Sequence, residues 1–450
     1  MSDNSSVTKN SVSDSEMEKS DGFGSRIGYI FATLGMSVGV GAVWRFPMMT
    51  GQYGGGAFVL AFIIITIIIV IPAGWAESAF GRKYRKSVVG TLSEAAGAKG
   101  KVFGYFMSII PIGLLAYYPA IIATIVMYIF YTLTGASFLS DVEGFYEQVN
   151  NNRMATFLLV IGINLLTAYI STKGIKQGIE KVCKIMLPLM LIFALIVSVR
   201  VLTLEGIGVG VEYYLKPDFS MLTDVNLWVA AAGMAIFAVG LGPGFLLTYG
   251  SYLDQKADIA TDFLLVNVAQ LFTCVLCGFA IIPAVVLFGL DPTAGKGLLF
   301  QSLPLVFSKI PGGMIWFGLF MVALFFAGLS TTISMMEIPV ASFRDGLNIS
   351  RNKGILLVLG ISTIVSIPCI WNDQFFAFFD NLMGNIGYCI AAAVLAFYLA
   401  WIVGAKKVRE EWYNPTSAIK YGSWIDFLYK FVSVPAFIYF SIVAVISLFK

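Results

Sequence analysis

The fold class that the sequence predicts is an all-α membrane protein of eleven transmembrane helices, built as a 5+5 inverted repeat with helices one and six broken. Three observations carry this. Apolar residues make up 58% of the chain and charged residues 12%, roughly half the charged share of a soluble domain. Eleven apolar stretches are long enough to cross a bilayer, and two of them, five spans apart, are interrupted by glycine clusters.

A helix needs about 20 apolar residues to span the hydrocarbon core. The stretches lie near residues 27–50, 56–81, 102–135, 154–171, 176–202, 225–253, 259–289, 311–343, 354–372, 377–403 and 428–449. The loops test the count, because Lys and Arg collect on the cytoplasmic side. Arg82, Lys83, Arg85 and Lys86 follow span two, Lys173, Lys176, Lys181 and Lys184 follow span four, and Arg344, Arg351 and Lys353 follow span eight. Lys406, Lys407 and Arg409 follow span ten, whereas the alternate loops carry acids such as Asp141, Glu143, Glu205 and Asp224. The expected orientation is therefore N-terminus cytoplasmic and C-terminus extracellular. Residues 1–22 are Ser-rich and acidic, without the basic start and apolar run of a signal peptide. They read as a disordered cytoplasmic tail before a transporter core over 23–405, with repeats 23–202 and 225–405, and a linker and eleventh helix over 406–450.

Composition also excludes functions. There is no His, and the five Cys lie in or beside apolar stretches, so neither a transition-metal site nor a disulfide framework is expected. Cys274 and Cys277 form a C-x-x-C, but mid-helix in a bilayer this reads as packing. A net charge of +3 is too small to imply a nucleic-acid partner. No nucleophile–base pair is visible, so the chain is not expected to be an enzyme.

Glycine- or proline-interrupted helices at matching places in two halves are the best sequence pointer to a secondary transporter's binding site. Span one carries Gly35, Gly39 and Gly41, and span six carries Gly240, Gly242, Pro243 and Gly244. The plainer alternative is close helix packing by small residues. Two clusters in register, one with an interior Pro, favour breaks.

Particular motifs then point further. Trp44-Arg45-Phe46-Pro47 precedes Gly54-Gly55-Gly56-Ala57-Phe58; Glu77 stands near Gly81-Arg82; Tyr117-Tyr118 lies in span three. Gly242-x-Gly244 with Thr248-Tyr249-x-Ser251-Tyr252 follows in span six, and Phe326-Ala327-Gly328-Leu329-Ser330-Thr331 in span eight. Over about residues 20–405 this resembles the neurotransmitter:sodium symporter family, in particular its bacterial eleven-span amino-acid transporter branch with the leucine-transporter fold.

The resemblance implies import of an amino acid with sodium by alternating access, in contact with membrane lipid. The substrate carboxylate would meet the amides of Val40 and Gly41 and the phenol of Tyr118. Further pocket positions are Ser37, Gly39, Leu114, Phe237, Ala238, Gly240, Pro243, Thr332 and Met335. Gly39 stands where monoamine members carry Asp, and Gly240 leaves room, so an apolar or aromatic amino acid is expected. Met36, Met234, Met335 and Met336 suit an adaptable apolar wall, although ordinary packing is the commoner use of Met.

The family's second sodium site maps onto carbonyls of Gly35, Val38 and Ala327 and hydroxyls of Ser330 and Thr331. The alternative is that both hydroxyls merely bond back to their own helix. The first sodium site departs from the pattern: its side-chain oxygens are replaced by Ala42, Ala238 and, in span seven, Ala269. A single sodium site is therefore expected. The chloride positions appear as Phe62, Met234 and Ala269, and the bacterial carboxylate substitute as Thr273, so no chloride dependence is expected.

Gates follow by the same resemblance. Arg45 and Asp380 match the outer charged pair, Phe237 the aromatic lid, and Glu77 the carboxylate that holds the broken segments. On the inner side Phe23 and Asp345 match the aromatic and the acid, but the partner Arg falls at Ser20, with Lys19 as a substitute cation. Gly178 and Pro188 reproduce a Gly-x9-Pro through which span five could unwind. Two alternatives remain beside sodium-coupled import: proton coupling through Glu337 or Glu77 to a substrate lacking the α-carboxylate, and a transport-dead sensor. Oligomeric state is not legible.

Overall fold

A computed structural model describes residues 22–39, 41–135, 141–293 and 298–446. The chain begins with α1 (Arg26–Ser37) and α2 (Gly41–Gln52), inclined to each other by 53°. Ser25 starts α1 by accepting a hydrogen bond from the Gly28 amide at 3.0 Å, which satisfies one of the orphan donors of a helix N-terminus. Then come α3 (Gly56–Tyr84), α4 (Val88–Leu133), the short α5 (Val142–Asn151), α6 (Arg153–Thr172) and α7 (Ile175–Leu202). A surface helix α8 (Gly208–Leu215) leads into α9 (Val225–Val239) and α10 (Phe245–Ser251). The rest is α11 (Ile259–Leu287), α12 (Leu298–Ser308), α13 (Gly313–Leu347), α14 (Arg351–Trp371), α15 (Asp373–Thr416) and α16 (Trp424–Ile446). Among the described residues nine of these helices are long and apolar enough to cross a membrane, and the bent pair α1 and α2 makes a tenth.

The stretch expected as span six is two short helices with residues 240–244 between them. Gly240, Gly242 and Gly244 sit at φ +70°, +107° and +89°, a region that side chains with a Cβ resist, so the glycines end α9 and begin α10. Two boundaries differ from expectation. The third span starts at Val88 rather than near 102, because an amphipathic segment precedes it and Gly97 (φ +63°, ψ −144°) turns the chain between them. The tenth span runs on past 403 to Thr416, deflected at Gly404 (φ +99°).

α13 packs along α4 and α7, and α1 lies against α7, α11 and α13, while α10 lies against α3. The broken helices are thus enclosed by straight ones. This arrangement matters because backbone groups freed at a break cannot face lipid and must meet protein, ions or substrate.

Candidate functional site

Beside the two breaks lies a small cavity of about 20 Å³. Of the sequence-predicted substrate positions, Ser37, Gly39, Gly41, Tyr118, Phe237, Ala238, Gly240 and Met335 line it. Gly39 is needed there for closeness: a Cβ would come within 2.4 Å of Thr331 Oγ1 and 2.8 Å of the Tyr118 hydroxyl. Val40 lies outside the described residues. Leu114, Pro243 and Thr332 are buried but do not line this cavity. Thr332 is instead turned toward α6, where its hydroxyl meets that of Thr167 at 2.9 Å. Phe245, Thr331 and Tyr388 line the cavity without having been expected there as substrate contacts. Phe245 and Thr331 sit one turn or less from motif residues, whereas nothing in the sequence around Tyr388 marks it. Of the four methionines read as a possible wall, Met36 and Met335 line the cavity and Met234 and Met336 do not.

Immediately beside the cavity, α1 and α13 bring oxygen atoms together. Ser330 Oγ donates to Gly35 O at 3.0 Å and Thr331 Oγ1 at 3.1 Å, across nearly 300 residues of sequence. Both hydroxyls also reach the Ala327 carbonyl, at 2.9 and 3.1 Å. Back-bonding to the own helix and convergence on α1 therefore occur together. Val38, buried just past the end of α1, has left the helical region at ψ 66°. Two carbonyls and two hydroxyls within about 3 Å of one another are a neutral, hard-oxygen donor set of the sort that alkali and alkaline-earth cations take. Sodium would be held by Gly35, Ala327, Ser330 and Thr331.

Across the cavity the oxygen supply is poorer. Ala42 and Ala238 are buried and offer no side-chain oxygen. On α11, Ala269 is only partly buried and offers no side-chain oxygen either, while Gln270, one residue on, is fully buried with Oε1 lacking a hydrogen-bond partner among the described residues. Asn267, Gln270 and Thr273 are the buried polar residues of this stretch of α11. Thr273 is satisfied by its own helix, donating to Ala269 O at 2.7 Å.

Glu77 Oε2 accepts from the Gly242 amide at 3.0 Å, tying α3 to the break between α9 and α10. Its Oε1 is buried and has no hydrogen-bond partner among the described residues. Glu337, fully buried on α13, is held by Arg351 and by the Tyr252 hydroxyl at 2.6 Å.

Outside the cavity, Arg45 and Asp380 line one chamber of about 140 Å³ with Tyr117 and Phe376. They make no direct ion pair; the Arg45 guanidinium lies over the Phe237 ring, 4.9 Å from its centroid. A larger chamber of about 260 Å³ adjoins it, walled by Trp44, Phe300 and the bidentate pair of Arg153 and Asp373.

At the inner end Phe23 packs edge-on against Tyr29, Tyr249 and Tyr252. Asp345 accepts from the Ser87 amide at 2.7 Å, at the start of α4, and lies 3.3 Å from Arg344. Ser20 and Lys19 lie outside the described residues. Two carboxylates that sequence reasoning missed hold α1 instead. Glu180 accepts from the Gly24 amide (2.6 Å), Ser25 Oγ (2.9 Å) and Lys184 Nζ (2.5 Å). Asp262, on α11 and almost wholly buried, pairs with Arg26 at 2.6 Å. The signal for Glu180 was an acid among the four lysines that follow the fourth span. Gly178 lies in a π-helical turn, Ile175–Glu180, and Pro188 inside the α-helix that continues from it, so α7 is wound through both.

Broken helices meeting mid-protein, a cavity at the breaks and a cation donor set beside it define a secondary transporter. The model of the sodium:neurotransmitter symporter family matches residues 20–154 and 138–450. A sodium-dependent transporter of Haemophilus influenzae is 31% identical over 91% of this chain and 94% of its own length. One of Methanocaldococcus jannaschii is 31% identical over 93% and 89%. Among solved structures, MhsT in complex with L-phenylalanine superposes with a TM-score of 0.85 at 28% identity, covering 94% of this chain and 99% of that one. The chain belongs to the sodium:neurotransmitter symporter family, in its bacterial branch.

Proposed function

We propose that the protein imports an apolar or aromatic amino acid together with one sodium ion per cycle. The observation that carries this reading is the convergence of Gly35 O, Ala327 O, Ser330 Oγ and Thr331 Oγ1 at 2.9–3.1 Å, with Thr331 also lining the cavity. A ligand shared between ion site and cavity couples the two occupants. The L-phenylalanine complex of the similar MhsT supports an amino-acid substrate. Tyr118 and the amides at the start of α2 would receive its carboxylate, as helix N-termini favour anions. Ala42, Ala238 and Ala269 supply no side-chain oxygen at the family's first sodium site, which leaves too few ligands for a second ion. Proton coupling is disfavoured by the pairing of Glu337 with Arg351.

In this reading there are eleven spans, namely the nine long helices, α1 with α2, and α9 with α10, of which the first ten form the 5+5 repeat and α16 lies outside it. The N-terminus is cytoplasmic. One ion suffices energetically: a charge crossing 100 mV releases about 2.3 kcal/mol and a tenfold sodium gradient adds about 1.4 kcal/mol. Together they support roughly 500-fold accumulation of a zwitterion at about 1.4 kcal/mol per tenfold.

The test is uptake of tritiated amino acids into proteoliposomes under sodium, potassium or proton gradients, with sodium titrated for its Hill coefficient. Sodium-driven uptake with a coefficient near one is expected. Uptake driven by protons alone, or a coefficient near two, would sink the one-sodium mechanism.

A further inference from the structure

The hydrogen-bonding groups around the substrate cavity are almost all spoken for. Ser37 Oγ donates to Thr33 O at 2.8 Å, and Thr331 Oγ1 is turned to Gly35 O and Ala327 O. Tyr118 is engaged as well. Tyr388 is the exception. It projects from α15 into the cavity, where its ring lies 5.3 Å from that of Phe237 and 6.4 Å from that of Phe245, stacked on the latter at 20°. The residue as a whole is 4% exposed, and among the described residues its hydroxyl takes part in no hydrogen bond, nor is it one of the sealed, unsatisfied polar atoms, so it remains open to a partner. Met36, Met335 and the two phenylalanines beside it offer none. A hydroxyl on the wall of an aromatic cavity, with no protein partner of its own, is the kind of convergent polar group that orients a bound small molecule.

We propose that Tyr388 is a specificity-determining residue whose hydroxyl binds a polar group on the substrate's side chain, so that the preferred substrate is an aromatic amino acid with a hydrogen-bonding ring substituent. This rests on the amino-acid reading above and narrows it. With Tyr118 and the α2 amides assigned to the carboxylate, the Tyr388 hydroxyl, set in an aromatic wall, is left for the side chain. The cavity is small as it stands, and the unbranched Met36 and Met335 supply the walls that give way to a ring. A site built to bond a hydroxyl rejects the analogue that lacks it far more strongly than an apolar pocket rejects an added hydroxyl, because the analogue leaves the protein's own group unpaired.

L-Tyrosine and L-phenylalanine differ by that one hydroxyl. Their equilibrium binding to the purified full-length protein in sodium, measured by displacement of a tritiated amino acid, is compared for the native chain and Tyr388→Phe. The native protein should prefer tyrosine by about tenfold or more. In Tyr388→Phe the order should reverse, tyrosine weakening and phenylalanine strengthening. Equal binding of the two by the native protein, or an equal loss of both in the variant, overturns the proposal, since the latter makes Tyr388 a carboxylate ligand or a packing residue. A Tyr388→Leu variant that retains its elution profile and prefers phenylalanine supports it if Tyr388→Phe folds poorly. Failure of every amino acid to bind in sodium would overturn the amino-acid reading itself, and this inference with it.

Discussion

The two ends of the molecule are closed by different means. At the outer end Arg45 and Asp380 face one chamber without touching, and the closest contact of the cation is the face of the Phe237 ring. At the inner end α1 is held on two sides by carboxylates: Glu180 on α7 takes three donors, and Asp262 on α11 takes Arg26. A cation over an aromatic ring contributes about 0.5–1 kcal/mol at an exposed site. Hydrogen bonds to a charged group are worth about 1.5–3 kcal/mol each. The difference teaches where control of this conformation lies: the inner end must break charge-assisted bonds for α1 to move, and the outer end need only shift a side chain.

The largest expected effect tests what joins the ends. Replacing Ser330→Ala together with Thr331→Ala removes both side-chain oxygens of the cation site, and sodium-dependent uptake should fall to background in proteoliposomes while the protein still elutes as a single species. Second is Glu180→Gln, which weakens three donors at once. It should raise the inward-open population about tenfold or more. Cys183, buried on α7 beside Gly35, is a native reporter: its labelling by a thiol reagent from the cytoplasmic side, read by mass spectrometry, should accelerate accordingly. Unchanged labelling would mean that α1 is held elsewhere.

The pair on α11 should be asymmetric. Arg26 is 58% exposed and Asp262 only 1%. Arg26→Ala strands a buried carboxylate, whereas Asp262→Asn leaves a guanidinium in water, so the first should speed Cys183 labelling several-fold more than the second. Smallest of all, Gln270→Ala should leave the sodium Hill coefficient near one. A fall from two to one on that substitution would reveal a second ion and weaken the contrast between the rich and poor oxygen clusters.

Legibility followed the range of the interactions. Ser330 and Thr331 belong to a contiguous motif, and adjacency within one helix already places both hydroxyls near the Ala327 carbonyl. The breaks were legible because a run of glycines is a backbone property, carried by Gly240, Gly242 and Gly244 themselves. Thr332 was misplaced because its neighbour Thr331 faces the cavity and the next residue must turn away, here onto Thr167. Asp345 was read as a gate acid, but its partner, the Ser87 amide, lies 258 positions away.

What the sequence by itself determined is the list of apolar helices, the two points where glycine ends them, and a motif whose two adjacent hydroxyls reach the Ala327 carbonyl. These depend on composition and on neighbours within a helical turn or so. Only the tertiary structure decided that Glu180 and Asp262 clamp α1, that Gln270 is buried with its Oε1 unpartnered among the described residues, and that Tyr388 enters the cavity at the breaks from α15. Each of these depends on the rotation of a helix about its axis and on a partner far along the chain, and an apolar helix buried on several sides carries little amphipathic pattern from which that rotation can be read.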